Sequence, residues 1–335
     1  MRKHLIIGCG TAAMSALKKI RSLTSADEIK LVTAEDHLPY SPAALPYLIS
    51  GRIKEEDMWL ADESYLQQIK CSLGKGKEVI RLLPETKEVV YKDGRQETYD
   101  SLLIATGSEP ARPPIKGLAE VGFLGFHTIA DYKRLAQQLR GKKEVTIYGG
   151  GLVALELATA LVEMGYKVKI VVRSRIARRY FDEDAGALIE DIFRQQGAQI
   201  YAGSGIEEVK RNKDGVEIAL SDGSLLHTEL LITSTGVKPR TSFLDGSGVK
   251  VNTGILVDRK MRTNIPDVYA AGDVAEGLDF FSGQPGVNAI TPSAIQQGKV
   301  AGANMAGTET EDRGWVSECL QILRACYCLH RLIRR

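Results

Sequence analysis

Two glycine-rich segments of the chain have the spacing that a nucleotide pyrophosphate requires. Each follows a short apolar run and reads Gly-x-Gly-x-x-Ala, with Gly8, Gly10 and Ala13 in the first segment and Gly149, Gly151 and Ala154 in the second. In this pattern the first glycine permits a tight turn, the second lets the backbone approach a pyrophosphate, and the small third residue lets helix and strand pack closely. The free N–H groups of the following helix attract phosphate. The sequence therefore predicts two dinucleotide sites.

A strand–helix–strand order positions each glycine segment. The apolar patterns predict strands over 5–7, 29–32, 145–148 and 168–172, and helices over 12–20 and 152–164. This order is the context of a Rossmann fold. Alternating apolar and charged residues also predict antiparallel hairpins around Asp93-Gly94 and Asp222-Gly223. We therefore expect an α/β fold with two Rossmann-like, three-layer dinucleotide-binding domains.

Charged residues after the second strand of each repeat bear on which nucleotide binds. Glu35 follows the strand of the first repeat and can accept hydrogen bonds from a ribose. The corresponding strand of the second repeat is followed by Arg173 and Arg175, and then by Arg178 and Arg179. Guanidinium groups match phosphate geometry, so these residues favour the 2′-phosphate of NADPH. A solvated basic loop is the alternative interpretation.

A third segment, 268–273, ends an apolar run with Gly272-Asp273. An aspartate after a glycine at the end of a strand can bind a hydroxyl of a ribityl chain, whereas an isolated Gly-Asp pair would be an ordinary turn. Two further apolar runs end similarly, at Thr106-Gly107 and at Thr235-Gly236.

In their order along the chain, these segments resemble the pyridine-nucleotide-disulfide oxidoreductase family, in its ferredoxin, rubredoxin and nitrite reductase-like branch. The resemblance covers about residues 1–307 and rests on Gly8–Ala13, Glu35, Ala105–Gly107, Gly149–Glu156, Thr235–Gly236 and Ala271–Asp273. It implies an NAD(P)H-binding domain over 116–244, inserted in an FAD-binding domain split between 1–115 and 245–310.

The resemblance also assigns candidate cofactor contacts. For FAD they are Gly8, Gly10, Ala13, Glu35, Thr106, Gly107, Gly272 and Asp273. For NAD(P)H they are Gly149, Gly151, Ala154, Glu156, Arg173, Arg179 and Gly236. Hydride would pass from nicotinamide to flavin, and electrons would leave to a ferredoxin- or rubredoxin-type protein or to a larger complex. A flavin subunit that couples NADH to such a complex, as in phenylglyoxylate dehydrogenase, is one form of this activity.

The segment 43–47 departs from part of the family. Branches with a single redox cysteine carry it just before Gly-Leu-Pro-Tyr, whereas this chain reads Ala43-Ala44-Leu45-Pro46-Tyr47. Alanine cannot form a thiolate nucleophile, which argues against a peroxide or disulfide reductase. No side-chain catalyst is expected, because the flavin carries the chemistry. A catalytically silent flavin-binding interaction protein is the alternative from another class.

Composition limits the remaining possibilities. A formal charge of +2 does not indicate nucleic-acid binding, and five cysteines without a CxxC pair indicate no zinc ribbon or disulfide scaffold, which suits the cytoplasm. The apolar stretch 5–17 after Arg2 and Lys3 has a signal peptide as its alternative interpretation.

The tail 311–335 differs from the rest of the chain. It holds five arginines and three cysteines, and we expect a frameshifted or truncated ending that lacks the family's dimer-interface domain. An amphipathic basic helix and a metal pattern at 326–330 are weaker alternatives.

Overall fold

The computed structural model describes residues 1–279, 283–314, 318–322 and 325–329. Its helices are α1 (Thr11–Leu23), α2 (Leu45–Ile49), α3 (Glu63–Gln68), α4 (Leu118–Val121), α5 (Ile129–Gln138), α6 (Leu152–Glu163), α7 (Glu183–Gln195) and α8 (Thr291–Met305). Its strands are β1 (Lys3–Ile7), β2 (Glu28–Val32), β3 (Cys71–Gly74), β4 (Val79–Leu83), β5 (Glu88–Tyr91), β6 (Gln96–Thr98), β7 (Ser101–Ile104), β8 (Ser108–Pro110), β9 (Glu144–Tyr148), β10 (Lys167–Val172), β11 (Gln199–Ala202), β12 (Ile206–Arg211), β13 (Val216–Leu220), β14 (Leu225–Thr228), β15 (Leu230–Thr233), β16 (Val237–Pro239), β17 (Ile255–Leu256), β18 (Val268–Ala270), β19 (Ala275–Leu278), β20 (Pro285–Gly286), β21 (Glu318–Ile322) and β22 (Ala325–Leu329).

The first of two compact units contains residues 1–41, 56–109 and 238–316. Its parallel sheet has the strand order β18-β7-β1-β2-β3, and β4, β5 and β6 form a separate antiparallel sheet. The side chains of alternate residues in β1 pack into hydrophobic cores on opposite faces of the sheet. Ile6 packs with α1 and α8, whereas Leu5 and Ile7 pack with the core on the opposite face. The sheet is therefore covered on both faces, as is usual for parallel strands.

Helices α1 and α8 approach each other closely because α8 carries two glycines at the contact. A Cβ atom built on Gly298 would lie 2.2 Å from the carbonyl oxygen of Ala12, and one built on Gly302 would lie 2.5 Å from that of Ala16. No side chain fits at either distance. The two backbones therefore touch, and the spacing of the helices is fixed by the absence of side chains.

The second unit contains residues 42–55, 110–237 and 317–335. Its parallel sheet has the order β11-β10-β9-β15, and β12, β13 and β14 form an antiparallel sheet. The segment 42–55 packs through α2 against α5 and α6. Ion pairs of Arg52 with Glu163 and of Glu55 with Lys133 support this packing.

The structure confirms the predicted strands and helices of both glycine repeats and the two predicted hairpins. The predicted strand 5–7 is buried, as the Rossmann interpretation expected. The alternative of a basic helix in the tail is wrong for the described residues, because β21 and β22 pair as an antiparallel hairpin. Residues 315–317, 323–324 and 330–335 of the tail, including His330 of the metal pattern, lie outside the described residues.

The domain ranges expected from the sequence stay a prediction, because the two units are defined by packing and not by what they bind. The units divide the chain at 109/110 and 237/238, and residues 42–55 join the second unit. In the described part of the chain, no helix is both long and apolar enough to cross a membrane.

Gly302→Ala should lower the free energy of unfolding by about 1–3 kcal/mol, since overpacking a filled interior typically costs that much. This loss should appear even though alanine is the better helix former by about 1 kcal/mol. Urea unfolding followed by circular dichroism measures it. Lys299→Ala, at an exposed position of the same helix, is the control. A Gly302→Ala variant as stable as the unmodified protein would contradict the close contact.

Candidate dinucleotide-binding sites

The first glycine turn closes against the end of β7. Gly8 has a φ of +115°, and a Cβ there would lie 2.1 Å from the carbonyl oxygen of Ala105. Gly10 has no atom within 4 Å of its own Cβ position, so open space lies before it. Ala13 is fully buried in the core with α8. The three residues therefore differ in what they require: a special backbone conformation, open space and a small buried side chain.

Side-chain caps divide the longer helices into two groups, and both helices that follow glycine turns are in the group without a cap. Of the described helices with six or more residues, α3, α5 and α7 begin with Asp62, Thr128 and Asp182, whose side chains accept a backbone N–H. Helices α1, α6 and α8 have no side-chain cap. Helix N-termini leave N–H groups without intrahelical partners. These three termini can thus donate to an anionic or carbonyl group from outside, which is the arrangement that a pyrophosphate fits.

Gly272 and Asp273 lie where α1 and α8 begin. The N–H of Gly272 donates to Gln297 Oε1 of α8 at 2.8 Å, and a Cβ on Gly272 would lie 3.0 Å from that of Ala12. The hydroxyl of Ser108 donates to Asp273 Oδ2 at 2.8 Å. The other carboxylate oxygen makes no hydrogen bond within the described residues, so it can accept one from a ligand hydroxyl.

Ser108 was not among the candidates drawn from the sequence. It is 1% exposed and follows Thr106-Gly107 directly, which is the signal that could have indicated it. Thr106 Oγ1 donates to the carbonyl of Arg240 at 3.0 Å, and the N–H of Arg240 donates to the carbonyl of Gly107 at 3.0 Å. These bonds fix the chain just before Ser108 and so help to orient Asp273.

Glu35 lies three residues after the end of β2, near the first glycine turn. It is half-buried, its N–H donates to Thr33 Oγ1 at 3.2 Å, and its carbonyl accepts from Gly76 at 3.1 Å. Burial raises the pKa of the Cys9 thiol to about 12, with smaller contributions from Cys71 and from the Glu35 carboxylate. Glu35 therefore lies close enough to the turn to act electrostatically on it.

The second glycine turn repeats the geometry of the first. Gly149 has a φ of +140°, and a Cβ there would lie 2.0 Å from the carbonyl oxygen of Ser234. Gly151 again has no atom within 4 Å of its Cβ position, and Ala154 is 1% exposed. Gly236 has a φ of +114°, and its carbonyl accepts the N–H of Ala111 at 2.9 Å. Open space before an uncapped helix is thus present in this unit as well.

The arginine loop, residues 173–182, follows β10 in the second unit. Arg173 and Arg179 are exposed. Arg175 is turned inward instead, and its guanidinium donates to the carbonyls of Phe181 at 2.7 Å and Asp182 at 2.9 Å. Arg175 therefore shapes the loop, while Arg173 and Arg179 remain exposed on it.

Two other candidates have simpler surroundings. Glu156 is half-buried on α6, and Ala43 is exposed in the short 3₁₀ turn that precedes α2. The candidates proposed for FAD all lie in the first unit, and those proposed for NAD(P)H all lie in the second. That these residues bind the two cofactors stays a prediction.

Comparison with known proteins gives consistent matches. The family described as pyridine nucleotide-disulphide oxidoreductase matches residues 2–298. Over 306 residues the chain is 37% identical to the epsilon subunit of NADH-dependent phenylglyoxylate dehydrogenase from Aromatoleum evansii, covering 91% of this chain and 72% of that protein.

Two solved structures are also similar. NADH:rubredoxin oxidoreductase from Clostridium acetobutylicum has a TM-score of 0.82 and 26% identity, covering 96% of this chain and 80% of that one. An engineered water-forming NADPH oxidase bound to NADPH, made from the NADH oxidase of Lactobacillus brevis, has a TM-score of 0.87 and 26% identity, covering 96% and 73%.

Gly10→Val should give a folded protein that cannot hold a dinucleotide in the first unit. The new side chain meets no protein atom near Cβ, but it fills the space that a pyrophosphate needs. Gly8→Val is the contrasting variant, and it should fail to fold because its Cβ would collide with the Ala105 carbonyl. Circular dichroism and flavin absorbance separate the two effects. A Gly10→Val protein with the full flavin content of the unmodified chain would refute the assignment.

Proposed function

The chain belongs to the pyridine nucleotide-disulphide oxidoreductase family, and from this membership we propose that it is an FAD-dependent NADPH:acceptor oxidoreductase that delivers electrons to a protein. The family is FAD- and NAD(P)H-dependent, and the chain is an oxidoreductase of that class with its Rossmann-like fold. The finer statements, which concern the coenzyme, the acceptor and the residues, are the proposal.

The observation that carries the proposal is the pair of glycine turns, one in each unit, each before an uncapped helix. In the first unit, Gly10 and α1 would receive the pyrophosphate of FAD, Glu35 a ribose, and Asp273 a ribityl hydroxyl. In the second unit, Gly151 and α6 would receive the pyrophosphate of the nicotinamide nucleotide. Bound flavin supplies hydride acceptance and onward electron transfer, and the protein residues bind and orient.

The coenzyme is proposed to be NADPH because of five positions in the second unit. The engineered NADPH oxidase carries introduced alanine, alanine, arginine, serine and arginine at positions spaced 18, 1, 1 and 5 residues apart. Counted from Ala154, the same spacing in this chain gives Val172, Arg173, Ser174 and Arg179. Four of the five introduced residues are thus already present here, namely Ala154, Arg173, Ser174 and Arg179. The remaining position, second in chain order, holds the apolar Val172 in place of the introduced alanine. This coincidence supports a site for the 2′-phosphate.

The acceptor is proposed to be a protein and not a peroxide or disulfide. Ala43 stands where the single-cysteine branches of the family carry their redox cysteine. Burial raises the pKa of Cys71 to about 11 and that of Cys9 to about 12, so both thiols stay protonated and unreactive near neutral pH. One similar protein is named for rubredoxin and another is a subunit of a dehydrogenase. A ferredoxin- or rubredoxin-type protein, or a partner in a larger complex, fits these observations best.

Arg173→Glu should shift the kcat/KM preference from NADPH towards NADH by tenfold or more. A hydrogen bond to a charged group contributes about 1.5–3 kcal/mol, and about 1.4 kcal/mol corresponds to tenfold. Steady-state kinetics with both nucleotides measures the shift. Arg178→Glu is the matched control, since Arg178 is exposed on the same loop but is outside the five positions, and it should change the preference much less. If the ratio of the kcat/KM values for NADPH and NADH is the same before and after Arg173→Glu, the arginines are only solvated.

Anaerobic NADPH oxidation should speed up when rubredoxin or ferredoxin is added and should not respond to peroxide or a disulfide. Brief treatment with iodoacetamide near neutral pH should leave the reaction intact, because the raised pKa values keep Cys9 and Cys71 protonated. Absorbance of NADPH measures the rate, and mass spectrometry reports which cysteines are modified. Loss of activity in step with modification of Cys9 or Cys71, or turnover of a disulfide, would overturn this acceptor assignment.

A further inference from the structure

The middle glycine of the second turn, Gly150, has no role in the pyrophosphate pattern, which leaves that position open to any residue. Its surroundings nevertheless require glycine. A Cβ on Gly150 would lie 2.9 Å from Val172 Cγ2 and 3.4 Å from the Cα of Ile176. Val172 ends β10, and Ile176 belongs to the arginine loop and is fully buried. The glycine turn and the arginine loop thus share one filled contact at Gly150.

A hydrogen bond joins the two segments at the same place. The N–H of Ala177, in the arginine loop, donates to the carbonyl of Gly150 at 2.7 Å. To make this bond, Ala177 adopts a φ of +53°, although it has a side chain and is only 1% exposed. Left-handed conformations are unfavourable for alanine and persist only where the surrounding structure enforces them. The contact with Gly150 is part of what enforces this conformation.

Other bonds give the arginine loop a fixed form on both sides of this contact. The N–H of Gly203 donates to the carbonyl of Ser174 at 2.8 Å. The inward Arg175 bonds the carbonyls of Phe181 and Asp182, where the loop ends. The loop is therefore held from outside at Gly150 and Gly203 and is braced internally by Arg175. The position of Arg173 and Arg179 relative to the glycine turn depends on how the loop packs on Gly150.

We propose that Gly150 is a positioning residue for coenzyme selectivity: it seats the arginine loop on the glycine turn, so that one nucleotide meets the turn with its pyrophosphate and the loop with its 2′-phosphate. This inference rests on the proposed preference for NADPH. Gly149 and Gly151 act on the part that NADPH and NADH share, whereas Gly150 acts through Arg173 and Arg179 on the part that differs.

The test is the dissociation constant of NADP⁺ and of NAD⁺ for the flavin-loaded protein, measured by titration calorimetry, which needs no turnover. Gly150→Ala should weaken NADP⁺ binding about tenfold more than NAD⁺ binding, because a shift of about 1 Å is enough to spoil a positioned contact. Gly151→Ala should weaken both by a similar factor. Adding Val172→Ala to Gly150→Ala removes the colliding methyl group, and the double variant should have nearly the same selectivity as Val172→Ala alone.

Ile176→Ala tests the same contact between the arginine loop and Gly150, but it removes packing atoms from the loop and introduces no collision. It keeps the inference testable if Gly150→Ala does not fold. It too should weaken NADP⁺ more than NAD⁺. Equal weakening of both nucleotides by Gly150→Ala or Ile176→Ala would overturn the inference. The Arg173→Glu variant separates the two proposals. If it changes selectivity but these variants do not, only the role of Gly150 is wrong. If it changes nothing, the proposed role of the arginine loop in binding the 2′-phosphate is itself wrong.

Discussion

The first unit depends on the direct contact between the backbones of α1 and α8. Gly298 and Gly302 bring α8 within reach of the carbonyls of Ala12 and Ala16, and this places the uncapped starts of the two helices beside Gly272-Asp273. A larger residue at either glycine would separate the helices and move one set of N–H groups away from the other. The geometry of the proposed FAD cradle is therefore set by positions that do not themselves face the cofactor.

The two units build their glycine turns with the same backbone geometry, and they differ in the charged residues that follow the second strand. Gly8 closes on the carbonyl of Ala105, and Gly149 closes on that of Ser234, at nearly equal distances. Each closure directs an open glycine and a free helix terminus towards the space where phosphate would lie. The charged residue proposed to meet the nucleotide after the second strand then differs in sign, since Glu35 lies three residues after β2 and Arg173 lies directly after β10. In the proposed function, backbone geometry would thus provide for the shared pyrophosphate, and side chains after the second strands would distinguish the nucleotides.

The glycine turns, their helices and the hairpins at Asp93 and Asp222 could be predicted because they depend on local sequence: a residue that tolerates positive φ, or apolar residues with a regular period. The bond from Ser108 to Asp273 could not, because the two residues are 165 positions apart and meet only in the folded sheet. The requirement for glycine at 150 was hidden for the same reason, since it comes from Ile176 and Val172. Helix α2 was missed because five residues carry too little periodicity, and the strands of the tail were missed because they are equally short.

The first unit is assembled from segments on both sides of residues 110–237, and this has a consequence for its synthesis. Strand β18 completes the sheet beside β7, and α8 covers α1, but residues 110–237 of the second unit are translated in between. A ribosome delivers the N-terminal part first. The central part of the second unit can consequently collapse while α1 still lacks its partner helix. Until residue 305 has left the exit tunnel, α8 cannot pack on the apolar face of α1. The proposed FAD site is then incomplete in the nascent chain, and chaperones or proteases can reach it.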